Sequence, residues 1–281
     1  MSQEKFQKVV DGYAVIGNPI TQSKSPMIHG MYAKATAQLM TYSKIEAPLG
    51  GFTAAVDAFR ASNGRGVNIT APFKLDAASY ATEASTRVKL AGAANALKFE
   101  GDRVLAENFD GMGLVRDVTH NLKASLKGQR LLLLGAGGAA RGALLPLLEQ
   151  EPLELVIANR TLQKACDLAS MGSQQGRVRS SSYAELAGQT FDVVFNATSA
   201  SLRGELPPVP ASAFALCNLA YELAYGKGLT PFLRLAHNSG VGQLADGVGM
   251  LAEQAAEAFE WWRGVRPDTT AVIAALKVPL L

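Results

Sequence analysis

Short apolar runs alternate with longer stretches of helical period along most of the chain. Tyr13-Ala-Val-Ile16 reads as a buried strand closed by the turn residues Gly17-Asn18-Pro19. A helix is predicted from Met27 to about Gln38, with Pro26 suited to its first turn and Ser25 to its N-cap. Met40–Ala47 reads as a strand, Phe52–Ala61 as a helix and Gly66–Thr70 as a strand, after which Pro72 opens another helix. Glu83–Leu90 predicts a helix. Ala96–Phe99 and Val104–Ala106 read as strands joined by a hairpin turn at Gly101-Asp102, and a helix opens at Asn108–Gly111 and runs to about Leu122. The alternation restarts at Arg130, with strands over Arg130–Leu134, Leu155–Ala158, Asp192–Asn196 and Leu216–Tyr221. A helix opened by Thr230-Pro231, an amphipathic run Met250–Trp262 and a short helix over Asp268–Leu276 complete the chain. Strands alternating with helices predict an α/β protein of parallel architecture, and the restart places a domain boundary near Gly111.

The restart carries the first chemical signal. Arg130–Leu134 is an apolar strand, Gly135-Ala-Gly-Gly-Ala-Ala-Arg141 follows, then a helix-forming run and a second strand ending in Asn159-Arg160-Thr161. This is the layout of a dinucleotide-binding β-α-β unit. Gly135 permits the tight turn, Gly137 lets the backbone approach a pyrophosphate, and Ala140 takes the third small position where helix meets sheet. The helix that opens there directs its unpaired N–H groups at the phosphates. NAD sites place an Asp or Glu about 20 residues beyond the glycines to accept the ribose 2′-hydroxyl. Here Asn159 and Arg160 stand in that place, with Lys164 a turn further on. A neutral amide, a guanidinium fork and a hydroxyl suit a 2′-phosphate, so NADP is favoured over NAD. Solvation of a strand end is the alternative reading of Arg160. Asn196-Ala-Thr-Ser199 ends a later strand of the same half and is expected near the cofactor.

Composition narrows the function classes. The chain has 281 residues, 48% hydrophobic and 18% charged, which describes a globular protein able to bury one large core or two ordinary ones. A net charge of +3 argues for neither nucleic acid nor an anionic membrane. The opening Met1–Asp11 is polar and lacks the apolar core of a signal peptide, and no stretch is long enough to span a bilayer. Cys166 and Cys217 are far apart and without a CxxC pattern, which predicts free thiols in a reducing, cytoplasmic setting. His29, His120 and His237 share no ligand spacing, so no metal site is expected.

Several polar residues fall where strands meet helices, the positions at which α/β sheets expose groups to ligands. Ser23 and Ser25 follow the first strand, and Ser25 is equally a helix cap. Asn68, Thr70 and Lys74 surround one strand–helix junction. A lysine in a first helical turn is electrostatically misplaced, because the dipole favours anions there, although an exposed lysine is the common case. Asp110 at the start of a helix reads as a cap or as a functional carboxylate. Gln254 reads first as a solvated helix residue.

These residues and motifs together resemble the shikimate dehydrogenase family over essentially the whole chain. The motifs in the first half are Ser23-Lys-Ser-Pro26, Gly66-Val-Asn-Ile-Thr-Ala-Pro-Phe-Lys74, Gly92-Ala-Ala-Asn95 and Asn108-Phe-Asp-Gly111. The second half adds Gly135–Arg141, Asn159-Arg-Thr161, Asn196-Ala-Thr-Ser199, Thr230-Pro-Phe-Leu233 and Asp246-Gly-Val-Gly-Met-Leu251. The resemblance implies two α/β domains: an N-terminal substrate domain over residues 1–110 plus 248–281, and a Rossmann NADP-binding domain over 111–247, with a C-terminal helix returning to the first. It implies Lys74 and Asp110 as the catalytic pair, and a substrate pocket of Ser23, Ser25, Asn68, Thr70, Asn95, Tyr225 and Gln254. For the cofactor it implies Gly135, Ala136, Gly137, Gly138 and Ala139, the Asn159, Arg160, Thr161 and Lys164 group, and Asn196, Thr198 and Gly247. The reaction implied is the NADP-dependent interconversion of 3-dehydroshikimate and shikimate, a step of aromatic amino acid biosynthesis, carried out by a monomer or homodimer. Hydroxyl and amide side chains suit a polyhydroxylated acid, and with no arginine in the set its carboxylate would rest on Ser23, Ser25 and Tyr225.

The chain departs from the family pattern at five places. Phe109 and Ala96 stand where Thr is usual, Gly30 where Asn is, Glu222 where Asp is and Ser201 where Gly is. Phe109, directly before Asp110, is expected to reshape the pocket wall. A member turned to quinate or another cyclic hydroxy acid, with NAD, is therefore a second reading. A non-catalytic nucleotide-responsive binding protein is a third, against which the retention of Lys74 and Asp110 argues.

Overall fold

A computed structural model describes residues 10–280, so most of the polar opening segment Met1–Asp11 lies outside the described residues. The first half runs β1 (Asp11–Gly17), α1 (Ser25–Ala35), β2 (Met40–Glu46), α2 (Phe52–Ala61), β3 (Gly64–Ile69), α3 (Lys74–Tyr80), β4 (Glu83–Ala84), α4 (Thr86–Ala91), β5 (Ala96–Glu100), β6 (Arg103–Glu107) and α5 (Asp110–Arg116). The second half follows with β7 (Arg130–Leu134), α6 (Gly138–Leu148), β8 (Glu154–Ala158), α7 (Leu162–Gly172), β9 (Val178–Ser181), β10 (Val193–Asn196), β11 (Leu219–Glu222), α8 (Pro231–Asn238) and β12 (Gln243–Asp246). The chain closes with α9 (Val248–Arg263) and α10 (Thr270–Leu276).

The strands form two six-stranded sheets, ordered β2-β1-β3-β5-β6-β4 and β12-β11-β10-β7-β8-β9. The second is parallel throughout. Its central strand β7 is a run of leucines, Leu131 to Leu134, each wholly buried because helices cover both faces. The first sheet is mixed, which corrects the expectation of parallel alternation. β5 pairs antiparallel with β3, and it pairs antiparallel with β6 as the hairpin expected at Gly101-Asp102, where the tight turn at Gly101 (φ +61°) leaves no room for a crossover helix. The helix predicted over Glu83–Leu90 is likewise shorter. Glu83-Ala84 pairs with β6, and α4 begins only after Ser85, whose Oγ accepts a hydrogen bond from the Val88 N–H at 3.2 Å.

Two other expectations change at helix starts. Lys24, not Ser25, is the N-cap of α1 and its side chain makes no capping bond, while Ser23 Oγ accepts the Ser25 N–H at 3.3 Å. Phe109, not Asp110, is the N-cap of α5, so the Asp110 carboxylate has no capping duty.

Helix α9 returns to the first half, where Ala252, Ala255, Ala256 and Phe259 pack with Ile28 and Tyr32 of α1. Helix α5 runs between α9 and α6 at near-backbone distance. A Cβ on Gly111 would lie 2.2 Å from the Gly142 carbonyl of α6, and one on Gly113 would lie 2.6 Å from the Gln254 amide of α9. Only glycine permits these approaches, and they set Asp110 and Gln254 side by side. Beyond Arg116 the helix continues as a π-helical turn, Asp117–Asn121. There the buried Asp117 carboxylate accepts from Tyr221 Oη at 2.7 Å and Asn121 Nδ2 at 2.9 Å. Burial raises the Asp117 pKa, and these donors oppose the rise. Among the described helices, none is long and apolar enough to cross a membrane.

Candidate active site

Two clefts open at the carboxyl ends of the sheets. The first, about 210 Å3, is lined by every residue the sequence assigned to substrate or catalysis: Ser23, Ser25, Asn68, Thr70, Lys74, Asn95, Asp110, Tyr225 and Gln254. The second, about 450 Å3, is lined by Gly135, Ala136, Gly137 and Gly138, by Asn159, Arg160, Thr161 and Lys164, and by Thr198.

The first cleft is organised around Asp110. Its Oδ2 accepts from Lys74 Nζ, and its Oδ1 from Asn95 Nδ2 at 2.8 Å. Asn95 also donates to Gln254 Oε1 at 3.1 Å, while its own Oδ1 accepts the Phe109 N–H at 2.8 Å. The Asn108 side chain supports the turn by accepting the Asp110 N–H at 3.2 Å. Both oxygens of the carboxylate are therefore occupied, and the lysine is held at one edge of the cleft with a third of its side chain accessible. An ammonium has three donors, so Lys74 keeps protons for a ligand after meeting Asp110.

The opposite wall carries hydroxyls. Ser23 and Ser25 have their Oγ atoms 3.2 Å apart. Asn68 is oriented from behind by Tyr42, whose Oη donates to Asn68 Oδ1 at 2.7 Å. Tyr42 stacks in turn on His29, ring centroids 4.2 Å apart. His29 is fully buried with neither ring nitrogen in a well-formed hydrogen bond, so desolvation lowers its pKa to about 3 against a smaller opposing pull from the Asn68 side chain, and it stays neutral. Tyr225 is 44% exposed at the cleft rim, and the partial desolvation of its hydroxyl raises its pKa, so it stays a phenol donor. The sequence reading missed Tyr42, Leu223 and Met250, and it passed over Lys24, whose exposed side chain joins this wall. Tyr42 was findable only as an inward position of an edge strand, a signal many core tyrosines share.

Phe109 does not line the cleft. Its ring packs in a buried cluster with Tyr13, Ala96, Ala258 and Trp262, and meets Trp261 edge-on at 5.6 Å. The expectation that it reshapes the pocket wall is therefore not met, because the backbone bond to Asn95 turns the side chain into the core. Ala96, a second departure, belongs to the same cluster, where a small residue accompanies the large ring. Gly30 is exposed, and a Cβ there would meet nothing within 4 Å beyond its own helix.

The second cleft fits a dinucleotide. Gly135 has φ +108°, and a Cβ there would press on the Ala197 backbone at 3.1 Å, so the turn requires glycine. Around Gly137 and Gly138 the space beyond the backbone is open, and α6 begins with no side-chain cap and no acid in its first turn. Its first N–H groups are thus left for an anion. Arg160, Thr161 and Lys164 are exposed on the rim, and Asn159 Nδ2 donates to the Thr161 carbonyl at 2.9 Å, shaping the loop. Three expected cofactor residues fall elsewhere. Gly247 lines the first cleft, because its N–H bonds the Ala224 carbonyl at 3.2 Å and draws it beside Leu223. Asn196 is fully buried beneath the loop, and Ala139 is exposed in the first turn of α6, off the cleft wall. The sequence reading missed Tyr183, Arg203 and Glu205. The last two form an ion pair at 2.8 Å on the cleft's far side.

Known proteins are similar to this chain in sequence and fold. The family models for the shikimate dehydrogenase substrate binding domain, for shikimate / quinate 5-dehydrogenase and for the shikimate 5'-dehydrogenase C-terminal domain match residues 15–97, 117–203 and 247–277 respectively. The NADP(+) shikimate dehydrogenase of Nitrosospira multiformis is 54% identical over 270 residues, 96% of this chain and 98% of that protein. An Ael1 enzyme from Pseudomonas putida has a crystal structure that superposes with a TM-score of 0.94 at 60% identity, covering 96% of this chain and all of that one. The shikimate 5-dehydrogenase of Thermus thermophilus, crystallised with NADP(H) and shikimate, superposes with a TM-score of 0.85 at 30% identity over 95% of this chain and 98% of its own.

Proposed function

Because the chain belongs to the shikimate / quinate 5-dehydrogenase family, we propose that it catalyses the reversible, NADP-dependent reduction of 3-dehydroshikimate to shikimate. The observation that carries the reading is the Lys74–Asp110 ion pair facing a cleft of hydroxyl and amide groups. The bound cofactor supplies the hydride. Lys74 holds the proton that exchanges with the reacting oxygen, and Asp110 fixes the ammonium in place through a bond to each partner, Lys74 and Asn95. Asn95 and Gln254 hold each other and present the ring hydroxyls with donors and acceptors in fixed positions. Ser23, Ser25 and Tyr225 receive the carboxylate, as hydroxyl groups can do without a formal charge. Arg160, Thr161 and Lys164 hold the 2′-phosphate, and the glycine turn with the start of α6 holds the pyrophosphate.

In this reading residues 1–110 plus 248–281 form the substrate domain and 111–247 the dinucleotide-binding domain. The division of the strands into two sheets supports it, as does the packing of α9 on α1. The reading carries with it a cytoplasmic setting in which acid and cofactor are dissolved metabolites. A steady-state assay pairing shikimate and quinate with NADP and NAD tests it. The highest kcat/KM is expected for shikimate with NADP, and preference for quinate with NAD would overturn the assignment.

A further inference from the structure

Glu222 ends β11 wholly buried, and among the described residues no lysine or arginine pairs with it. Three donors instead converge on one of its oxygens. Asn196 Nδ2 lies 2.9 Å from Oε2, Thr230 Oγ1 lies 3.2 Å from it, and Ser201 Oγ donates to it directly. Among the described residues, the other oxygen, Oε1, accepts only the Ala224 N–H, at 3.4 Å. Burying a carboxyl is costly unless such bonds compensate, so the arrangement constrains everything attached to it. Its attachments are specific. Asn196 and Ser201 bracket Ala197–Ala200, the loop that walls the cofactor cleft, and Asn196 Oδ1 also accepts from both the N–H and the hydroxyl of Thr198, at 3.1 and 2.7 Å. Ala224 lies between Leu223 and Tyr225, which wall the substrate cleft. The two departures from the family pattern in this half, Glu222 and Ser201, thus meet in one bond.

We propose that Glu222 is a positioning residue that couples the two clefts, so that ordering the cofactor loop also sets the Leu223–Tyr225 wall against the substrate. The proposal rests on the dehydrogenase reading for the identity of its ligands. The two oxygens serve the two clefts separately, and two substitutions separate them. In Glu222→Gln the amide oxygen keeps the three converging donors, while the NH2 group faces the Ala224 N–H and releases the wall. In Ser201→Ala the far end of the loop is released and the wall stays bonded.

The test measures NADP+ affinity by calorimetry, alone and with saturating 3-dehydroshikimate. Both ligands are oxidised, so no turnover intervenes. In the wild-type protein the second ligand should tighten NADP+ by at least about fivefold, and each substitution should reduce that factor below about twofold. Ser201→Ala should weaken NADP+ alone by about fivefold, the range expected for one lost hydrogen bond, whereas Glu222→Gln leaves it within about twofold. Coupling that survives in both variants, or is absent from the wild type, overturns the proposal, as does an equal loss of NADP+ affinity in the two. Wild-type turnover of shikimate with NADP, measured in parallel, reports on the dehydrogenase reading by itself. A variant that merely loosened the fold would lower the melting temperature and weaken both ligands while leaving their ratio intact.

Discussion

In the first cleft Asp110, Asn95 and Gln254 already bind one another, whereas in the second Arg160 and Lys164 face solvent with no side-chain partner among the described residues. The contrast follows from where the groups are carried. Asp110 and Gln254 stand on helices packed at glycine-to-backbone distance, so their geometry is settled by folding. Arg160 and Lys164 stand at the end of a strand and the start of a helix, on the rim, where nothing orders them before an anion arrives. A preformed site loses rate when a member is removed, because the remaining groups were placed around it. An open electrostatic site loses affinity, and only for ligands that bring the matching charge.

The largest effect is expected outside both clefts. Phe109→Ala removes a buried ring from the cluster with Tyr13, Ala96 and Trp262 and should cost about 3–5 kcal/mol of stability in chemical denaturation. The ratio of kcat/KM for shikimate over quinate should stay unchanged, since the ring does not reach the substrate. A shift in that ratio would place Phe109 in the pocket wall after all and blur the line between core and cleft.

Next comes Lys74→Ala, for which kcat should fall at least about 100-fold, the typical size of proton-transfer assistance, with the fold retained. Turnover close to that of the wild type would remove the lysine from the chemistry and reduce the first cleft to a binding site.

Much of this contrast could be read before the structure. The glycine turn after a run of leucines, and the strand-end serines, Asn68 and Lys74, announce themselves because backbone constraints and ligand contacts leave a local trace. Gln254 did not: alone it reads as a surface glutamine, and only the close approach of α5 and α9 makes it a partner of Asn95. The β5–β6 hairpin was legible from the turn residues Gly101-Asp102, but the antiparallel pairing of β5 with β3 depends on long-range pairing that local pattern does not encode. Glu222 and Ser201 were noticed as separate oddities, and their bond joins positions 21 residues apart.

His29 sharpens the comparison from beneath the first cleft, with the third-largest effect. Its folded pKa of about 3 lies below the unfolded value near 6.5, so the unfolded chain takes up the proton first. The stability held by the neutral ring is fully present above pH 6.5 and is lost as pH falls from there toward 3. At pH 5 the loss should be about 2 kcal/mol relative to neutral pH. Denaturation curves across this range check it, and His29→Leu should flatten them. A wild-type curve that stays level between pH 7 and pH 5 would mean the ring finds a partner for its proton.

The smallest predicted effect bears on the open cleft. Arg160 is exposed, and a guanidinium on the rim gains only a screened, charge-assisted bond to a phosphate. Arg160→Ala should therefore raise the KM for NADP by about tenfold, or about 1.4 kcal/mol, and leave that for NAD and the kcat with either almost unchanged. Raising the ionic strength should weaken NADP binding in the wild type and do so less in the variant, because one of the screened contacts is gone. An equal loss for both cofactors would mean that Arg160 touches the adenosine they share and not the phosphate that distinguishes them. A fall in kcat would be more damaging, since it would show the rim to be preorganised like the substrate cleft.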